Sequence, residues 1–149
     1  MDRDWIAEAK RVFAVEKPEH FTNYRHCCEC AEHDKTLLAH TLDSIGLEQL
    51  GSPAWDPLCF CAAEGLKYCL PAMVRLSLET IADECYFEQM LFHLTYGWRD
   101  NRLLTICSVA QRIFVAEFLY HMVLNFPSEL DYSVTADNAL SAYELWQQA

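Results

Sequence analysis

The chain has 149 residues, a net charge of −11 and an apolar fraction of 52%; that length predicts one domain, residues 1–149, able to bury a core without disulfides. Nineteen aromatic residues against 4 Gly and 5 Pro exclude disordered, collagen-like and linker compositions. The acidity excludes nucleic acid and an anionic membrane surface as main partners, because both carry like charge, and it allows a basic protein partner drawn in by long-range attraction.

Trp5, Ile6, Ala9, Val12 and Phe13 follow a helical period, with Asp2 or Asp4 as the N-cap and Lys17-Pro18 as the stop. A second helix is predicted from between Asn23 and Cys27 to about Thr41. Gly46, Gly51 and Ser52-Pro53 mark a loop with one short turn. Asp56-Pro57 is a helix start, a capping carboxylate followed by Pro at the first position. Leu58–Thr80 is apolar on nearly every side and belongs at the centre of a core, with Gly65 and Pro71 expected to split or kink it.

A helix over Ala82–Leu94 is expected to stop at Gly97. Leu103–Ile106 is the weak strand candidate. Ser108 and Gln111 form a capping-box pattern opening a helix over Val109–Asn125, whose buried stripe is Ile113, Phe114, Phe118, Leu119 and Met122. Pro127 closes it. Thr135 or Asp137 caps a last helix with Ala139, Leu140, Tyr143 and Trp146 on one face. The fold class is all-α: a compact single-domain bundle of five to seven helices around the buried central segment.

The opening residues have no basic stretch leading into an apolar one, as a secretory signal would. The longest apolar region, Ile113–Phe126, is interrupted by Glu117, His121 and Asn125, which excludes a transmembrane helix. A cytoplasmic location is therefore expected, where eight cysteines serve as thiols or metal ligands. The acidity is uneven, −4 over residues 1–75 and −7 over 76–149. Glu79, Asp83, Glu84 and Glu88 lie in a stretch to Gly97 without Lys or Arg.

Residues 26–33 read HCCECAEH. Thiolate and imidazole are zinc's preferred ligands, and Cys-x-x-Cys is the common first half of a zinc site. His26, Cys30 and His33 make one helical stripe at i, i+4 and i+7, but one ion reaches both imidazoles only if they are fully extended. Cys27, Cys30 and His33 are the better metal set if Cys27 lies in the turn before the helix. A second ligand pair would come from Cys59, Cys61, Cys69, Cys85, Cys107, His20 or His40, none with Cys-x-x-Cys spacing.

The same cysteines support a redox dithiol, since a helix N-terminus and a nearby histidine stabilise a thiolate. The strand and βαβ context of thioredoxin-like proteins is missing, and Glu29 and Glu32 are expected to raise the thiol pKa. Cys59, Cys61 and Cys69 read as small core hydrophobes, His93 and His121 as hydrogen-bonded core or boundary residues, and Tyr68 and Trp98 as core aromatics. Phosphate-loop, nucleophile-elbow and His-Glu-x-x-His patterns are absent from the sequence.

The run CFCAAEGLKYCLPAMVRLSLE, the preceding HCCECAEHD and the later DNRLL and SVAQRIFVAEFL resemble segments of a family of small bacterial proteins of unknown function, over roughly residues 13–122. The resemblance implies a mostly helical, cytoplasmic, bacterial protein and carries over no catalytic residue. Its Cys-x-Glu-Cys segment matches Cys27, Glu29 and Cys30, and His33 lies outside that pattern. The expected function is a non-enzymatic protein-binding or structural module with a zinc site at the HCCECAEH segment. One version is an acidic inhibitor or immunity-type protein whose negative face masks a basic partner. The alternatives are a thiol oxidoreductase, or a metal hydrolase at Cys27, Cys30 and His33 with Glu29 or Glu32 as base.

Overall fold

The first helix, α1 (Trp5–Val12), is capped by Asp4, whose carboxylate accepts from the Ala7 amide at 3.1 Å. Trp5 and Ala9 are buried on one face, continued by Phe13. The helix ends well before Lys17-Pro18 because a tertiary bond replaces its next turn: Gln111 Nε2 donates to the Val12 carbonyl at 3.2 Å, while Phe13 packs edge-on against Phe114. These features belong to a computed structural model that describes residues 3–131 and 134–148; Asp2, the alternative cap, lies outside them.

Nine α-helices occur among the described residues, six of them eight residues or longer. They are α1, α2 (Cys28–Leu38), α3 (Leu47–Leu50), α4 (Ala63–Thr80), α5 (Phe87–Thr95), α6 (Arg102–Ile106), α7 (Val109–Asn125), α8 (Pro127–Leu130) and α9 (Thr135–Gln148), with 3₁₀ turns at Pro53–Trp55, Pro57–Phe60 and Trp98–Asp100. The described residues contain no strand, only an isolated antiparallel bridge between Thr22 and Cys61. The domain is compact and all-α. No helix is long and apolar enough to cross a membrane among the described residues.

The buried centre is α4, packed against α1, α5 and α6. It runs unbroken through both Gly65 and Pro71, so neither splits it. The break falls earlier, at Cys61 and Ala62, where the Ala62 amide turns away to donate to the Phe21 carbonyl at 2.8 Å. Gly65 marks a close approach: a Cβ there would stand 3.1 Å from the Phe21 ring and 3.3 Å from its carbonyl oxygen. Asp56 caps the preceding 3₁₀ turn through the Leu58 amide at 2.9 Å. Arg102, from α6, donates to the carbonyls of Leu58, Cys59 and Cys61 and so holds that turn's other end.

Three further expectations are corrected. Ala82–Tyr86 is a turn and α5 begins at Phe87; the Thr80 hydroxyl accepts from the Tyr86 amide and Cys85 takes φ of 45°, a left-handed conformation rare outside glycine. Leu103–Ile106 is helical because the buried Asn101 caps it, its Oδ1 accepting from the Leu103 and Leu104 amides while Nδ2 donates to the His93 and Tyr96 carbonyls. Ile113 is exposed, although Phe114, Phe118, Leu119 and Met122 are buried as expected.

The Ser108–Gln111 capping box is present on both sides. Gly97 is left-handed at φ of 83° and follows the end of α5. Pro127 opens α8 rather than only closing α7. The last helix starts at Thr135, whose hydroxyl donates to Glu88. On its inner face Ala139 and Trp146 are buried and Leu140 is exposed; the Trp146 indole donates to the Leu94 carbonyl at 2.9 Å. Trp98 is exposed and so not a core residue, whereas Tyr68 is half-buried and packs against the core, edge-on to Phe21.

Candidate functional site

Cys27 sits outside the helix as the N-cap of α2, in extended backbone, and its Sγ accepts from the Cys30 amide at 3.4 Å. A sulfur thus does the work usually done by a Ser or Asp oxygen. The Cys30 Sγ lies 3.7 Å from His26 Nδ1. One donor atom from each of His26, Cys27 and Cys30 lies within 4.8 Å of the others. His26 and Cys27 are exposed and Cys30 half-buried.

Buried polar bonds fix the segment against the centre of the fold. The Thr22 hydroxyl donates to the Cys30 carbonyl at 2.6 Å. The buried Asp34 of α2 accepts from the amides of Phe21 (2.6 Å) and Thr22 (3.1 Å) and from His20 Nδ1 (2.7 Å). Burial works to raise the Asp34 carboxyl, but these bonds from His20, Thr22 and Phe21 outweigh it and hold the carboxyl below its ordinary range. The loop at 20–22 in turn bonds to the N-terminal approach of α4, so α2 is anchored at its first turn.

The two thiols differ. The Cys30 amide, then His26 and the Cys30 thiol, lower the Cys27 thiol to about 7. The Cys30 thiol is raised, first by its hydrogen bond to Cys27. The Glu29 charge adds to that rise, so the expected carboxylate effect falls on Cys30, whereas at Cys27 the Glu29 backbone amide helps lower the thiol.

Of the set Cys27, Cys30 and His33, the structure gathers the two cysteines, with Cys27 in the turn before the helix. The third donor beside them is His26. His33 lies almost a turn further on, on the face packed against the Pro57–Phe60 turn. It is 1% exposed, its ring stacked on Phe60 (4.5 Å) and tilted against Trp55 (4.8 Å). Among the described residues its Nε2 has no hydrogen-bond partner; Glu29 Oε1 stands 3.8 Å away. The i, i+4, i+7 stripe holds both imidazoles and the set with His33 is the one preferred from the sequence, whereas with Cys27 as the extended cap it is His26 that meets the sulfurs.

The remaining thiols are placed as packing groups or apart. Cys61, Cys69 and Cys107 are buried, and burial pushes them up: Cys69 to about 12, Cys107 to about 11 and Cys61 well above its usual value. Cys59 is exposed, contrary to its expected place in the core. It forms a second donor cluster with Asp56 and His93 that sequence reasoning missed, although Asp56 and Cys59 stand at i and i+3. There His93 Nε2 lies 2.7 Å from Asp56 Oδ2, which Gln89 also reaches at 3.2 Å. Two ligands of one zinc would stand about 3.4 Å apart. The shorter distance is that of a hydrogen bond, and Asp56 is a buried clamp between the 3₁₀ turn and α5. His93 thus matches its expectation as a hydrogen-bonded core histidine.

The acidic stretch is exposed at Glu79, Asp83, Glu84 and Glu88. Glu79 pairs with Arg75 at 3.4 Å, and Glu88 accepts from Thr135. No family model, no curated protein and no solved structure matches the chain.

Proposed function

We propose that this protein is a helical, non-enzymatic binding module that holds a thiophilic divalent metal, zinc, through His26, Cys27 and Cys30. The observation that carries the reading is the 3.7 Å between Cys30 Sγ and His26 Nδ1. With Zn–S near 2.3 Å and Zn–N near 2.0–2.1 Å, a tetrahedral edge between such atoms is about 3.6 Å. These two donors already stand at ligand spacing, with a Cys27 donor within 4.8 Å of both, on a turn anchored by Asp34 and Thr22. Three protein ligands leave one position for water or a partner's side chain. A basic protein partner, in the manner of an acidic inhibitor, fits the exposure of Glu79, Asp83, Glu84 and Glu88.

A second reading is favoured by the split between the thiols. Cys27, lowered to about 7, is a nucleophile at neutral pH, and Cys30 is raised as a resolving thiol would be. The Cys27 thiolate attacks glutathione disulfide and releases one glutathione, and Cys30 then attacks the mixed disulfide and releases the second, so that the two electrons and two protons lost by the pair end on two glutathione thiols. A hydrolase would need Glu29 or Glu32 as base at the open position, and Glu29 stands beside His33 instead.

Elemental analysis of protein purified without chelator separates the readings. One zinc per chain is expected, lost in Cys27→Ser, Cys30→Ser and His26→Ala and kept in His33→Ala. Metal-free protein that takes up no added zinc, and forms a reversible Cys27–Cys30 disulfide in glutathione buffer, overturns the metal reading in favour of the dithiol. Metal-free protein without that disulfide overturns both.

A further inference from the structure

The groove bordered by α7 and α9, of about 460 Å³, shares no residue with the cysteine site. Its walls are largely apolar: Trp5, Ile113, Ala116, Leu124, Tyr143 and Trp146. Ile113 and Leu124 are 53% and 63% exposed, so α7 presents apolar surface here that nothing in the described chain covers. This is the volume and lining of a small-molecule site, which needs in addition a few placed polar groups.

Arg112 supplies one. It lines the groove, its Nε is buried without a hydrogen-bond partner, and among the described residues its guanidinium makes no ion pair. The carboxylate beside it in the groove, Glu117, is engaged by Arg3. In a chain with 22 acidic and 11 basic side chains, an arginine left unmatched against apolar surface calls for an acceptor from outside. A guanidinium fits a carboxylate in two parallel hydrogen bonds. A single such cation in a protein of net charge −11 suits a monoanion and disfavours a more highly charged phosphate ester.

We propose that the α7–α9 groove binds a small amphiphilic monocarboxylate, with its carboxylate on Arg112 and its alkyl or aryl body against Ile113, Ala116 and Trp146. Charge complementarity selects this occupant over a neutral apolar one. Desolvation of Ile113 and Leu124 contributes affinity, and the arginine contributes the choice of sign.

The test uses the full-length protein labelled with ¹⁵N and decanoate as the probe, kept below its micellar range. The indole signals of Trp5 and Trp146 are expected to shift saturably with one decanoate per chain, while those of Trp55 and Trp98, outside the groove, stay in place. Decanol is expected to bind at least about tenfold more weakly, and decyltrimethylammonium not at all. Arg112→Gln should lower decanoate affinity about tenfold and leave decanol unchanged. Ile113→Glu, at an exposed position that does not disturb folding, should abolish decanoate binding and serves if Arg112→Gln does not fold. Equal affinity for decanoate and decanol, or an unchanged decanoate affinity in folded Arg112→Gln, overturns the proposal. So do Trp5 and Trp146 shifts that follow protein concentration without ligand, which would make the occupant a second copy of this chain.

Discussion

Asp56 and His93 stand thirty-seven positions apart and meet at 2.7 Å, both side chains 2% exposed. The pair joins the turn before the central helix to α5. Gln89 Nε2 and the Leu58 amide complete the Asp56 carboxylate. Asp56→Ala strands the Leu58 amide and the His93 ring nitrogen, each at a cost of about 1–3 kcal/mol, and leaves Gln89 Nε2 with the Leu50 carbonyl alone. A loss of about 3–5 kcal/mol in urea unfolding is the expected outcome, with a smaller loss in Asp56→Asn, which keeps one acceptor.

The thiols should separate by reactivity. In zinc-free protein, iodoacetamide labelling of Cys27, followed by mass spectrometry, is expected to rise with pH through a midpoint near 7, because the Cys30 amide and His26 stabilise its thiolate. Cys69, pushed by burial to about 12, and Cys61, pushed by burial well above its usual value, should label only after unfolding. His26→Ala should move the Cys27 midpoint upward.

Acid should loosen the anchor of α2. The folded state holds the Asp34 carboxyl below its ordinary value, so the native protein binds fewer protons there than the unfolded chain. The resulting stability is fully present above the unfolded pKa of about 3.9 and is lost as pH falls through the folded value. Urea midpoints measured from about pH 6 downward should fall below about pH 4 in the parent protein. In Asp34→Asn that part of the acid dependence should vanish, with stability at pH 7 lower by about 2–3 kcal/mol.

Gly65→Ala sets a gain in helix propensity of about 1 kcal/mol against overpacking of about 1–3 kcal/mol. Phe21 cannot retreat cheaply from the new methyl group. Its amide is held by Asp34 and its carbonyl by the Ala62 amide. A net loss of about 1 kcal/mol, seen as a lower thermal midpoint, is expected.

What could be read from the sequence was local. Asp4, Asp56 and the Ser108–Gln111 box cap within three residues of themselves, and all three are found. Long-range bonds account for much of what differed. The end of α1 depends on Gln111, and the break before α4 depends on Phe21. Asn101 was within reach of a capping argument, since its side chain serves the two amides just after it. Ile113 fits the period of its helix but faces the groove, because periodicity gives a stripe and not its width. In the His26–Cys30 donor cluster the Cys-x-x-Cys spacing identified both sulfurs. The i, i+4 spacing put His26 on the same stripe as Cys30, but it put His33 there too, and which imidazole stands beside the sulfurs depended on the path of the chain around the cap.

Arg102 has one more consequence, for biogenesis. The carbonyls of Leu58, Cys59 and Cys61 are bound by a side chain more than forty residues downstream. As the polypeptide leaves the ribosome N-terminus first, those oxygens stay hydrated until the arginine has been translated. The link between the cysteine-bearing half and the central helix is therefore sealed late, and a nascent chain arrested before codon 102 carries that seam open.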